Sequence, residues 1–433
     1  MCACHASSLM TNFRIKINLL QTKAPIRGCK KIETAHTKHI TVAIIAGCIV
    51  AFLSFGFSAT FGVFMSPLSS SLGLSREVFS LSIATQMLCW GFTQPIAGIV
   101  ADRFGSARVL AFGAVFAAVG FYLRGIVTDP TLFITTGIIV GIGTGACGFP
   151  IVIVALGKIV NAKQRSFVMG LGTAAASFGM FVSAPASLAL IERFGWKVSI
   201  NVIAVSFLLI VPVVWFVARA GAPTAGNSSA KTFSYAIKTA FVDRSYICLF
   251  LGFFVCGFHV AFIGTHLPAY VADKGLAAII GGWSLGLIGL FNIVGSLSAG
   301  WAGQKASKKW LLTSIYVFRA AVITVFILIP ITSSTVYLFS AIMGILWLST
   351  VPLTTGLVAQ TQGLTFLSTL VGLIFLGHQA GSFLGAWLGG RIYDTTGDYT
   401  IMWWTAVALG LLAALIHVFI RENSGKLTTV KQN

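Results

Sequence analysis

The sequence predicts an all-α integral membrane protein: twelve transmembrane helices in two six-helix, pseudo-symmetric halves. Three observations carry that prediction. Hydrophobic residues make up 57% of the 433 positions and charged residues only 9%, a composition no soluble domain of this size carries. Apolar windows long enough to cross a ~30 Å hydrocarbon layer recur with short polar breaks between them. A Gly-, Pro- and Ser-containing break at 220–230 then divides those windows six and six.

Residues 1–39 carry seven basic residues and one acid and lack an apolar core long enough for a signal peptide. They read as a basic cytoplasmic tail; the same composition fits a transit peptide, or a true start at Met10. Cys2, Cys4 and His5 cluster there without a second ligand pair, so no metal is expected, and no cofactor. Cys48, Cys89, Cys147, Cys248 and Cys256 fall inside apolar runs and read as small hydrophobes, not a disulfide framework.

The predicted spans are 40–66, 77–101, 107–127, 131–157, 166–190 and 198–218, then 245–271, 279–303, 310–330, 335–360, 369–391 and 400–420. The domain plan that follows is a tail at 1–39, a first half at 40–219, a cytoplasmic linker at 220–243, a second half at 244–421 and a tail at 422–433. With both termini cytoplasmic, 22 of the 29 basic residues lie on inside loops and tails, and Arg76, Arg193, Lys197, Lys274 and Arg391 lie outside. That bias is what membrane topology demands, so the net charge of +19 does not argue for nucleic acid. Arg124, within a turn of its span's outer end, is expected to snorkel.

A shift of 202 residues superposes Gly62 on Gly264, Gly73 on Gly275, Gly98 on Gly300, Gly170 on Gly372, Gly179 on Gly381 and Gly195 on Gly397, with Pro150 on Pro352. About two glycine coincidences are expected by chance, so an internal duplication is favoured.

Between the second and third spans stands Gly98-Ile99-Val100-Ala101-Asp102-Arg103-Phe104-Gly105-Ser106-Ala107-Arg108. One carboxylate and two guanidinium groups between apolar helices stay charged only at the membrane surface. Gly98 is expected to admit a neighbouring helix closely, and Gly105 to supply the freedom for the reversal. This Gly-x-x-x-Asp-Arg-x-Gly stretch resembles the loop motif of the major facilitator superfamily. The resemblance implies a substrate site between two rocking halves, lined by the first, fourth, seventh and tenth helices, and a gating loop in which Asp102 latches the cytoplasmic ends with Arg103 and Arg108 beside it.

Gly62-Val63-Phe64-Met65-Ser66-Pro67-Leu68, Leu74-Ser75-Arg76-Glu77-Val78-Phe79-Ser80, Glu192-Arg193-Phe194-Gly195-Trp196-Lys197 and Tyr393-Asp394-Thr395-Thr396-Gly397-Asp398-Tyr399 together resemble bacterial monocarboxylate-porter and oxalate/formate-antiporter relatives. The eighth span of monocarboxylate porters carries an Asp and, four residues on, an Arg that holds the carboxylate. Asn292 and Ser296 stand in those places here.

Charged and titratable groups inside the bilayer are costly and therefore mark function. His259 and His266, seven apart and about 10 Å along one helical face, share a stripe with Tyr270 that is expected to look into the cavity. Each imidazole could bind an anion or carry a proton, or simply donate to a neighbouring carbonyl. His378 sits beside Gly377, Gly381, Gly385 and Gly389, a stripe that packs helix on helix, and on the adjacent face it could reach the cavity as a substrate or proton site. Arg319 is deep in the ninth span, either bound to carbonyls or to substrate. Asn292, Ser296 and Trp347 are further candidates to line a site.

These readings point to a secondary active transporter of a small organic solute, a carboxylate anion in the first instance. It would work by alternating access with proton coupling or exchange, as a monomer in the plasma (inner) membrane, its partners the solute, a proton and the lipid bilayer. A drug or metabolite efflux antiporter is the alternative. A receptor or membrane enzyme lacks support, since no nucleotide loop, nucleophile–base pair or extended soluble domain is visible.

Overall fold

The computed structural model describes residues 27–160, 162–218, 238–362 and 367–422. In the first half, α1 (Arg27–Ala59) leads through a 3-10 turn (Phe61–Phe64) to a short α2 (Met65–Leu72). Then come α3 (Arg76–Phe104), α4 (Ser106–Ile126), α5 (Pro130–Cys147), α6 (Phe149–Lys158) and α7 (Ala162–Ala218). The second half comprises α8 (Arg244–Asp273), α9 (Ala278–Lys305), α10 (Lys308–Leu328), α11 (Ser333–Leu346), α12 (Thr350–Gln362), α13 (Leu367–Thr396) and α14 (Thr400–Val418). The described residues contain no strand.

Among the described residues, ten helical stretches are long and apolar enough to cross a membrane. One of them runs for 50 residues and turns at Gly195, whose φ of 80° breaks α7 into two passes. The 29-residue α3 is not among the ten but has the length of a pass. Counted this way, the described helices supply the twelve passes expected.

Three boundaries differ from the sequence reading. The first helix reaches back to Arg27, into the stretch read as tail, and ends at Ala59 instead of 66. The fourth pass is broken at Gly148, which is extended (φ −64°, ψ 158°) ahead of Pro150 in the first turn of α6. The tenth is broken between α11 and α12 at Trp347, Leu348 and Ser349, just before Pro352. Each proline opens a new half-helix, where its missing N–H costs least.

Within the first half α1 packs on α7, α3 on α5, and α4 on both α5 and α7; within the second, α8 packs on α13, α9 on α11 and α10 on α14. Two seams, α3 against α13 and α7 against α9, join the halves. The 202-residue relation reappears in the backbone: Gly73 and Gly275 have φ of 64° and 78°, and Gly195 and Gly397 have 80° and 82°. A Cβ on Gly179 would strike the Phe52 carbonyl, and one on Gly381 the Phe254 carbonyl, the same contact at equivalent positions of each half. Ile96, Trp215, Trp301 and Leu328 point outward, the apolar surface a bilayer requires.

Arg124 departs from expectation. It is fully buried, donating to Thr136 Oγ1 (3.1 Å), Gln86 Oε1 (3.0 Å) and Ser82 Oγ (3.0 Å), with its guanidinium 4.8 Å from the Phe61 ring centroid. Three neutral acceptors on two other helices hold it inside the half, so it cannot snorkel.

Candidate functional site

Between the halves lies a cavity of about 730 Å³, counting the part open to solvent. Phe149 of the first break and Trp347 and Leu348 of the second line it. The new helix starts there leave first-turn N–H groups pointing along the axis, the positive ends of their dipoles. α1, α3, α8 and α13 complete the walls with Phe55, Trp90, Val260 and Phe375 among others. The second and eleventh passes thus join the first, fourth, seventh and tenth.

His378 lines this cavity from α13 and is 5% exposed. Its Nδ1 lies 3.1 Å from Gln379 Oε1 and 3.4 Å from Ser382 Oγ. An amide oxygen only accepts, so Nδ1 carries the hydrogen and Nε2 a lone pair. Nε2 has no hydrogen-bond partner. Across from α13, Trp90 Nε1 is likewise buried without an acceptor. Both rings flank Phe375, at centroid distances of 5.2 Å for His378 and 5.9 Å for Trp90. The sequence reading missed Trp90 and Gln379: an aromatic in an apolar span carries no signal of facing a cavity until the helix phase is known.

Trp347, also predicted, lines the cavity, and the other predicted residues sit elsewhere. The stripe of His259, His266 and Tyr270 turns away from the cavity, a correction to the expected orientation. His259 Nε2 is 2.7 Å from the Ala406 carbonyl on α14, and His266 Nε2 is 2.7 Å from the Ala386 carbonyl on α13. Tyr270 packs on Trp403 (5.3 Å) and Phe326 (6.1 Å). Buried imidazoles need partners, and the carbonyls of adjacent helices supply them; the face of α8 on the cavity carries Ala261, Gly264 and Thr265 instead.

Arg319 is fully buried and donates to the carbonyls of Leu346 and Trp347 and to Cys256 Sγ. It satisfies carbonyls that the break in the tenth pass sets free. Asn292 also serves the break: its Oδ1 accepts from the Leu348 N–H (2.9 Å) while its Nδ2 donates to Ser177 Oγ of the other half (2.9 Å). Ser296 donates to the Asn292 carbonyl (2.8 Å).

The glycine stripe of α13 lies against α8, one residue per turn. A Cβ on Gly377 would come within 2.8 Å of the Phe250 ring, and one on Gly385 would strike the Phe258 carbonyl. Gly389 abuts the His266 ring in the same way. In the loop after α3, Gly105 adopts φ 92° and Arg108 is exposed. Among the described residues, nothing lies within 4 Å of where a Cβ on Gly98 would stand, so none of the described helices makes the close approach expected there. The side chains of Asp102 and Arg103 lie outside the described residues.

At the face opposite the linker, the halves are tied by ion pairs that the sequence reading did not anticipate. Arg76 pairs with Asp273, and Glu77 pairs with Arg391 (3.2 Å). Asp394 accepts from the backbone N–H groups of Arg76 (3.2 Å) and Glu77 (2.7 Å), capping α3 from the other half. Among the described residues, the ion pairs that cross between halves lie at this face; Lys308–Glu422 stays within the second half.

Comparison with known proteins adds the family evidence. A family model described as Major Facilitator Superfamily matches residues 47–365. An uncharacterized MFS-type transporter of Bacillus subtilis (strain 168), YcxA, is 23% identical over 383 residues, 86% of this chain and 93% of the relative. Monocarboxylate transporter 13 of Rattus norvegicus is 22% identical, over 87% of this chain and 89% of its own length. Monocarboxylate transporter 12-B of Danio rerio is 22% identical over 82% of each.

Proposed function

This chain belongs to the major facilitator superfamily, a family of multi-pass membrane transporters, and from that premise we propose that it carries a small organic carboxylate by alternating access, driven by a proton gradient or by exchange. The observation that carries the proposal is the matched pair of breaks: Gly148–Pro150 and Trp347–Pro352 stand in corresponding positions of the two repeats, with the cavity between them. Interrupted helices at equivalent places are where substrates bind in such folds.

Charge favours an anion. Each break sets a half-helix start, the positive end of its dipole, beside the cavity. Arg124 and Arg319 are buried among neutral partners, and none of the residues lining the cavity is acidic. His378, with a free ring nitrogen on the cavity, is the group proposed to hold the coupled proton or the substrate; the titratable and charged groups near it are Cys256 on α8 and Arg319 on α10 behind that thiol. The protein works as a monomer in the plasma membrane with both termini in the cytoplasm, and the loop from Gly98 to Arg108, with Asp102 and Arg103, latches that side.

Accumulation of labelled carboxylates, amino acids and organic cations in proteoliposomes, with and without an inward-acid pH gradient, tests this. Carboxylates should be concentrated and cations should not. His378→Gln should abolish gradient-driven accumulation while leaving solute exchange intact. A strong preference for cations would overturn the anion reading, and unaltered accumulation by His378→Gln would return the proton to the substrate itself.

A further inference from the structure

The cavity has more chemistry than an anion needs, because aromatic rings from both halves line it. Phe55 and Phe149 meet edge to face at 4.9 Å, with planes at 70°. Phe375 stacks on His378 with planes 8° apart, and Phe253 approaches the same imidazole at 4.8 Å. Phe61 and Trp347 complete an aromatic enclosure that draws on both halves. Two buried polar atoms on that enclosure have no partner: Trp90 Nε1 on the first half and His378 Nε2 on the second. An indole N–H only donates, and a buried donor left unpaired is costly, so an acceptor that reaches the cavity wall gains from pairing with it.

We propose that the cavity selects an aromatic monocarboxylate, its ring among the Phe and Trp side chains and its carboxylate received by Trp90 Nε1 from one half and His378 Nε2 from the other. The inference rests on reading this cavity as the transport site. His378 becomes a donor when Nε2 takes up a proton from water, so one proton enters with each carboxylate. The titratable and charged groups facing that imidazole from packed helices are the Cys256 thiol on α8 and, behind it, Arg319 on α10, bonded to the thiol at 3.4 Å. Received this way, the carboxylate ties α3 to α13, the helices of one seam between the halves. Edge-to-face and stacked contacts with several rings favour an aromatic body over an aliphatic one of equal size by about tenfold in affinity.

The test uses the full chain in proteoliposomes and three probes of similar size: phenylacetate, hexanoate and phenethylamine. Phenylacetate should show a KM about tenfold below that of hexanoate, and phenethylamine should neither be carried nor compete. Trp90→Phe, which keeps a ring and removes the N–H, should raise the phenylacetate KM about tenfold with kcat changed less than threefold. Hexanoate carried with an equal or lower KM overturns the aromatic preference and leaves the anion reading standing. Uptake of phenethylamine alone overturns both, and transport of none of the three overturns the aromatic-carboxylate inference. An unchanged phenylacetate KM in Trp90→Phe removes Trp90 from the site; the wild-type probe series decides the substrate class even if that variant does not fold.

Discussion

Arg76 and Asp273, 197 positions apart, hold each other across the two halves by two N–H···O bonds of 2.6 Å each. The guanidinium also donates to the Tyr399 hydroxyl at 2.9 Å and lies 3.7 Å over the Tyr393 ring. Burial alone would lower the Arg76 pKa, but the bonds to Asp273 and Tyr399 raise it above its ordinary value, so the guanidinium stays charged at every physiological pH. Forked pairing of this kind is stronger than a single surface ion pair, and it closes the face opposite the linker.

Arg76→Met should therefore open that face. Loss of about 1 kcal/mol of bridging changes the ratio of closed to open forms about fivefold. Labelling of a cysteine placed on the cavity wall by a membrane-impermeant maleimide added from that side should rise accordingly. Asp273→Asn should do the same, and the double variant should add little to either, because both remove one interaction. Additive effects would show that the pair is not the latch.

Gly381→Leu should abolish transport and lower the thermal midpoint of the purified protein, since even a Cβ there meets the Phe254 carbonyl. Overpacking of this kind costs about 1–3 kcal/mol. Gly98→Ala, at a site with open space around it, should leave both transport and midpoint unchanged. A destabilised Gly98→Ala protein would mean that a helix does approach there.

Asn292→Ala should slow turnover more than it weakens affinity. It strands the Leu348 N–H at the break, a cost of about 1–3 kcal/mol, and cuts the tie to Ser177. Ser177→Ala cuts only the tie between halves and should reproduce the loss in kcat with KM nearly unchanged. A KM effect larger than the kcat effect in Ser177→Ala would place Asn292 at the substrate instead of at the joint.

His259→Ala should cost about 1–3 kcal/mol of stability through lost packing and the lost bond to the Ala406 carbonyl, yet leave coupling to the pH gradient intact. Chemical denaturation with parallel accumulation assays separates the two effects. Uncoupled but stable His259→Ala protein would restore that residue to the transport path.

The spans, the repeat and the reversal at Gly105 were legible in the sequence because each rests on local physics: hydrocarbon thickness sets window length, and a positive φ selects glycine. The breaks in the fourth and tenth passes were half legible. Pro150 and Pro352 coincide under the 202-residue shift, but continuous apolar windows gave no reason to interrupt the helix. His378 was picked out by its cost within a bilayer, and so were His259, His266 and Arg319, which the packing assigns to carbonyls.

The sequence by itself therefore determined the membrane class, the twelve passes and the two-fold plan, since hydropathy, charge bias and glycine spacing act residue by residue along the chain. Only the tertiary structure decided which side of each helix meets the cavity, which buried cation finds carbonyls and which imidazole keeps a free nitrogen. A helix that is apolar all round carries no phase of its own; its rotation is set by the close glycine contacts with its neighbours, as α13 is by α8. The pairing of Arg76 with Asp273 had the same origin, because two helix ends 197 residues apart meet only when the α3–α13 and α7–α9 seams bring the halves together.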